Sequence, residues 1–301
     1  MPPAPGRDAG RTPPSPPGFA PLPPSLRALL NPTMPPQANA GLMFQRYPAL
    51  WRMEGGSHQP VPSESRKAWI ENFTRDFAAQ RAVREPELRA QLNRLDALSQ
   101  RTFRYTTTFR MVTGIGAAHP LENSFTFDHL LGVPKLAGSG VKGLVRAFAN
   151  QVAAPEEMLP YFGNFLERSL AEQDGQRRTP AEQKALTDAR AGDVVFLDAF
   201  PESWPVLEVD ILNPHHSAYM QERMKGRDAI PTLTEDPVPV YFLTIAAGTP
   251  FRFGVRGRTT PLTEAELARI GAWLTGALEW MGAGAKTAAG YGHMMPAQPG
   301  R

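Results

Sequence analysis

The sequence predicts an α+β fold, and three stretches carry the prediction. Over residues 102–113, Phe103, Tyr105, Thr107, Phe109 and Met111 alternate with Arg104, Thr106, Thr108 and Arg110. That is the period of a strand with one buried face and one wet, partly basic face. Over 263–281, a Thr263/Glu266 capping box opens a segment in which Leu267, Ile270, Leu274, Leu278 and Met281 recur at three- and four-residue spacing. This is the stripe of a core-facing helix. Between these segments, short apolar runs at 193–200, 205–212, 238–246 and 250–256 are punctuated by turn residues and read as two hairpins.

In chain order, residues 1–38 are proline-rich, with runs such as Pro13-Pro14-Ser15-Pro16-Pro17. Proline removes backbone donors and favours extended conformers, so this arm is expected to be flexible, with docking to a protein partner as its other use. The body is expected to span 39–301, starting at the apolar patch 41–47. Residues 65–100 read as helical, with Trp69, Phe73 and Phe77 at four-residue spacing and Leu88, Leu92 and Leu95 following Pro86. Pro86 interrupts the run, leaving two helices or one broken one, and the aromatic stripe belongs to the core. After the 102–113 strand, an irregular stretch leads through Asp128-His129 to Pro134. Residues 153–191 are charged and form an expected helical insertion on the surface, with short helices at 156–170 and 180–190. A last strand is expected at 290–295.

Two glycine-bearing turns stand out. Gly282-Ala283-Gly284-Ala285-Lys286-Thr287-Ala288-Ala289-Gly290-Tyr291-Gly292 leaves little side chain between its amides and an approaching ligand, while Lys286 adds charge. Such a loop suits a phosphate. It is not a P-loop, because Ala285 and Trp280 occupy the positions where glycine is needed. It is not a dinucleotide fingerprint either, because it follows a helix and has Thr287 where the third glycine belongs. A helix C-cap explains Gly282 but not the other three glycines. The second turn, Ala137-Gly138-Ser139-Gly140, opens a helix to about residue 152, where Ser139 is a candidate cap and Lys142 and Arg146 share one face. The expectation is that the two lysine-bearing turns meet on one side of the fold and grip a ribose-phosphate chain together.

Composition narrows the chemistry. The chain has 301 residues, a formal charge of +3 and no cysteine, which excludes disulfides, thiolate metal sites and cysteine nucleophiles. No apolar run of spanning length and no signal-peptide pattern occurs, so no membrane association and a cytoplasmic location are expected. His215-His216 are adjacent and the other histidines scattered, so neither a metal nor any other cofactor is expected. Asp128-His129 is half of an acid/base pair without a nucleophile, and no catalytic residue is assigned. A ribonuclease using His119 or His129 is the enzymatic alternative.

The order of His119-Pro120, Phe125-Thr126-Phe127-Asp128-His129, Gly132-Val133-Pro134, Gly138 to Gly143 with Arg146, Phe196 to Pro201, Asn213-Pro214-His215 and the final glycine loop resembles the RAMP superfamily. Within it, the likeness is to the sixth-subunit family of the type III-B CRISPR Cmr effector, over about residues 39–296. Ala137-Gly138-Ser139-Gly140 departs from that family's pattern, which has proline, glycine and two hydroxyl residues. The resemblance implies a ferredoxin-like, RRM-like fold. It also implies a non-catalytic subunit that binds guide RNA near its 3′ end, caps the backbone filament and aids target-RNA binding in antiviral defence. The implied partners are guide and target RNA, the other backbone RAMP subunits and the small subunits. The expected RNA contacts are Ser139, Gly140, Lys142, Arg146, Gly284, Lys286, Thr287, Tyr291 and His119, with Tyr291 either stacking on a base or packing. A purely structural scaffold is the remaining alternative.

Overall fold

The computed structural model describes residues 18–20, 22, 34–163, 191–213, 223–228 and 239–297, and its first elements pack ahead of the main sheet. Helix α1 (Ala40–Gln45) is capped by Asn39, whose side chain accepts from the Leu42 amide at 3.0 Å. Strands β1 (Trp51–Glu54) and β2 (Ser57–Pro60) form a hairpin across Gly55-Gly56, both at positive φ. The alternation-based reading gave no strand there, although two glycines are what a two-residue hairpin turn needs. Helix α2 (Ser63–Ala79) buries Ile70, Phe73 and Phe77, and α3 (Arg81–Leu98) buries Arg84, Leu88, Leu92 and Leu95. The helices part at Gln80, not at Pro86, which lies inside α3.

Gln80, between the two helices, also holds the described end of the proline-rich segment. Its side chain is buried and donates to the carbonyls of Pro35 and Ala38 at 3.0 and 2.9 Å, and Arg84 donates to Gln37 and Ala38. Further back, Phe19 exchanges backbone bonds with Trp51 at 2.9 and 3.2 Å. The described parts of that segment are thus held at two places. A proline-rich stretch lacks donors but keeps every carbonyl, and buried donors on the body use them.

The main sheet contains β3 (Arg101–Thr107), β4 (Val194–Phe196), β8 (Pro250–Gly257) and β9 (Met294–Pro296) in the order β4-β8-β3-β9, every pair antiparallel, with β5 (Phe200–Pro201) also on β8. Helix α4 (Gly138–Val152) connects β3 to β4, and α6 (Glu264–Gly276) connects β8 to β9. Two β-α-β halves interleaved in that strand order make a ferredoxin-like unit, as expected. Helix α6 begins at the expected capping box and buries Leu267, Ile270, Trp273 and Leu274; each such apolar side chain contributes about 1.5–3 kcal/mol.

Neither expected hairpin forms. Strand β6 (Leu207–Leu212) pairs with β7 (Val240–Ile245) in a separate two-stranded sheet against α2, while β4 and β8 belong to the main sheet. The link from β5 to β6 is pinned by Trp204, whose indole N–H donates to the Phe77 carbonyl at 2.9 Å. Between β7 and β8, Thr107 and Thr249 bind the Ala246 carbonyl at 3.2 and 2.8 Å and make a corner rather than a hairpin turn. The alternation at 102–113 also breaks, because β3 stops at Thr107. The chain bends there, Met111 takes up Ile245 as its partner, and Phe109 emerges 45% exposed.

Of the insertion, helix α5 (Pro155–Phe162) is seen. The expected helix at 180–190, and Pro214, His215, His216 and Tyr219, lie outside the described residues. Among the described residues no helix is long and apolar enough to cross a membrane.

Candidate nucleic-acid interface

The glycine loop starts from a wide π-turn, Ala277–Met281, that ends α6. Its frame is a set of backbone bonds: Ala283 to the Gly292 carbonyl (2.8 Å), Gly292 to Arg110 (2.9 Å) and Ala285 to Val112 (2.8 Å). These tie the two ends of the loop to each other and to the chain leaving β3. Lys286 then adopts a left-handed conformation (φ 57°, ψ 29°) and leads into a 3-10 turn at Thr287–Ala289. Among the described residues, the amides of Lys286, Thr287 and Ala288 have no hydrogen-bond acceptor. Successive amides turned this way form a concavity suited to an anion. The Lys286 ammonium lies 5.4 Å from the centre of the Phe242 ring, an attraction of about 0.5–1 kcal/mol at a partly exposed site. Gly284, Ala288 and Ala289 are exposed, and Lys286 and Thr287 half-buried.

Tyr291 is held, not loose. Its hydroxyl donates to Asp210 Oδ2 at 2.6 Å, and its ring stands edge-on to Phe109 at 5.3 Å. Arg110 joins the same cluster, its Nε donating to Glu208 at 2.6 Å and its Nη1 to Asp210 at 2.9 Å. Burial and the Asp210 carboxylate push the phenol up to about 12. Of the two roles open for Tyr291, the structure supports packing: it ties the loop to β6.

The start of α4 differs from expectation. Ser139 is not the cap; Ala137 holds that position without a side-chain bond. The Asp198 carboxylate accepts from the Gly138 amide at 2.8 Å instead, and also pairs with Lys135 at 2.7 Å, so an acidic residue occupies part of the expected anion position. Ser139 and Gly140 are exposed on the first turn. Lys142 reaches back to the Val194 carbonyl at 2.9 Å. Burial, followed by the charges of Arg258 and Arg146, lowers its pKa.

The two lysine turns do not converge on one grip. Lys142 is anchored on β4, one edge of the sheet, at the end where β8 finishes; the loop feeds β9, the other edge, beyond the end where β3 finishes. Three strand spacings across and about eight residues along put these corners on the order of 30 Å apart. Two small-residue lysine turns looked alike in sequence, and the sheet order separates them.

His119 is engaged within the protein. One ring nitrogen bonds the Phe44 carbonyl at 2.9 Å, the other accepts from the Leu121 amide at 3.2 Å, and the ring stacks on Phe44 at 4.5 Å. Burial lowers its pKa, against the opposing effect of the Phe44 carbonyl. His119→Ala should lower the melting temperature by leaving buried backbone groups unpaired, at about 1–3 kcal/mol, without changing the salt dependence of RNA binding. Thermal melts and a salt titration on the variant check this. Asp128 is likewise engaged, accepting from the Leu130 and Leu131 amides at 3.0 and 2.9 Å and pairing with Lys135 at 3.2 Å. Among the described residues, no group of three or more histidines and carboxylates could hold a metal.

Comparison with known proteins decides the family. Residues 104–294 match the model of the RAMP superfamily. The chain belongs to the RAMP superfamily. It is 30% identical over 244 residues to the CRISPR system Cmr subunit Cmr6 of Pyrococcus furiosus, covering 67% of this chain and 69% of the relative. The fold is also similar to a chain in the cryo-EM structure of the type III-B Cmr-beta complex bound to cognate target RNA, with TM-score 0.50 and 21% identity over 79% of this chain and 76% of that one. Seen as a RAMP protein, the chain keeps its glycine loop in the place where α6 meets β9. The sequence marks Asp198 and Asp210 as structural carboxylates; what it does not reveal is which groups they and Arg110 hold, because a charge on or beside a strand shows its partner only once the sheets are assembled.

Proposed function

We propose that this RAMP protein is a non-catalytic RNA-binding and assembly subunit of a type III-B CRISPR effector. It holds guide RNA near its 3′ end, caps the filament of backbone subunits and aids target-RNA binding. The observation that carries the reading is the row of open amides at Lys286, Thr287 and Ala288, the first of them on a residue that also brings a positive charge. Such a site takes a phosphate without reading a base. Likeness to Cmr6 and to a subunit of a target-bound complex supports RNA as the ligand and other Cmr subunits as neighbours. The exposed Ser139 and Gly140, with the half-buried Lys142 and Arg146, provide a second, separate phosphate contact at the far corner of the sheet, weakened by Asp198. A cytoplasmic location goes with this reading.

The test is Lys286→Ala, with binding of single-stranded RNA followed over a salt titration. Affinity should fall alike for unrelated sequences, and the slope of log affinity against log salt should shrink by about 0.7, the loss of one phosphate contact on a single strand. An unchanged slope removes the loop from RNA binding. The ribonuclease alternative, through His119 or the exposed His129, predicts RNA cleavage that His129→Ala abolishes; His119 is engaged by the Phe44 carbonyl and the Leu121 amide, which favours the non-catalytic reading. The scaffold alternative predicts no RNA cross-link at residues 284–291.

A further inference from the structure

Trp280 is 78% exposed, in contrast to the buried Trp204 and Trp273. The exposure has a backbone cause. Trp280 follows Trp273 by seven residues and Ala277 by three, and both of those are buried. An uninterrupted α-helix would put Trp280 on their face. The π-turn at Ala277–Met281 widens the helix and moves its phase, so Ala277 and Leu278 stay inside while Trp280 is turned out to solvent. Single π-turns of this kind are frequent at functional sites.

The same turn is tied to the loop. His293 Nδ1 lies 2.8 Å from the carbonyl of Glu279, the residue before Trp280, and its Nε2 lies 3.3 Å from the Thr287 carbonyl. One imidazole therefore spans the carbonyls of Glu279 and Thr287, which holds the Trp280 backbone close to the turn that carries the open amides. The geometry points to Trp280 as a stacking platform for the base whose phosphate sits on the Lys286–Ala288 amides, an assignment that rests on the RNA-binding reading above. An aromatic face next to a phosphate-binding backbone is the arrangement single-stranded nucleic acid uses, and it tolerates any base.

The test compares the wild-type chain with Trp280→Ala, Trp280→Phe and Lys286→Ala on a uridine-rich single-stranded RNA and on the same oligonucleotide carrying abasic sites. Trp280→Ala should weaken binding to intact RNA roughly ten-fold, and the penalty for removing bases should shrink by a similar factor. Trp280→Phe should keep most of the affinity. Lys286→Ala should weaken binding to both oligonucleotides alike. If Lys286→Ala binds weakly while Trp280→Ala matches wild type on intact RNA, stacking is wrong and the loop reading stands. If neither variant changes binding, the loop reading fails and takes this assignment with it. Should Trp280→Ala keep its RNA affinity but lose association with the assembled complex, the indole is a protein contact and the assignment is overturned.

Discussion

Gly292→Ala should lower the melting temperature by about 6 °C and weaken RNA binding at least as much as Lys286→Ala does. Gly292 has φ 75°, where an L residue is strained by roughly 1–2 kcal/mol, and a Cβ there would land on the Ala283 carbonyl oxygen. That contact is with backbone, so no side chain can swing aside to relieve it. Residue 292 also carries two bonds of the loop frame, donating to Arg110 and accepting from Ala283. Pushing it outward separates the ends of the loop and spoils the left-handed turn that aligns the amides at Lys286–Ala288. Strain and lost bonds together come to about 3 kcal/mol, within the range of substitutions at special backbone positions. Gly143→Ala is the matched control. Gly143 lies in the exposed first half of α4, where a Cβ meets open space, and alanine there should leave stability unchanged or raise it. Thermal melts and RNA titrations of the two variants separate the cases; equal melts would show that the loop frame does not depend on Gly292.

The contrast between these two glycines shows what the sequence could reveal. The loop at 282–292 was legible because four glycines so closely spaced imply positive φ, and all four have it. Helix α6 was legible because the Thr263/Glu266 cap and the apolar stripe are local patterns that need no partner. Strands β3, β4, β6, β7 and β8 were legible but their partners were not: alternation marks a pleat and says nothing about which strand lies beside it. Both hairpins therefore came out wrong, since the chain turns a corner at Thr249 and crosses between sheets at Trp204. The cap at the Lys142 turn was hidden for a related reason. Its residue types match a phosphate site, but Asp198 arrives from sixty residues away to take the Gly138 amide. The π-turn was hidden because a widened turn leaves the same residues in the same order and changes only their phase.

Asp210→Ala should cost about 2 kcal/mol and loosen the loop, because one carboxylate supports it through two partners. The Tyr291 hydroxyl and the Arg110 guanidinium both bind Asp210, and Arg110 also supplies the carbonyl that receives Gly292. Hydrogen bonds to an ionised group contribute about 1.5–3 kcal/mol where water is excluded, less here because Arg110 is one-third exposed. Tyr291→Phe removes one of those bonds and should cost about 1 kcal/mol. The pH dependence distinguishes this network from simple packing. Burial and Asp210 raise the Tyr291 pKa to about 12, above its unfolded value of about 10. A raised phenol stabilises the fold fully below pH 10, and that contribution is lost as pH climbs towards 12. Burial alone would raise Asp210, but Tyr291, the Ile211 amide and Arg110 outweigh it and hold the carboxyl below its ordinary value. Its contribution is therefore present above the usual carboxylate range and lost as pH falls through the depressed native value. Wild-type melting temperature should consequently decline more steeply between pH 10 and 12 than that of Tyr291→Phe, which has no phenol to titrate at this position. Parallel alkaline declines in the two proteins would mean that the hydroxyl does not hold the loop to β6, and that ring packing against Phe109 and Phe242 is what positions Tyr291.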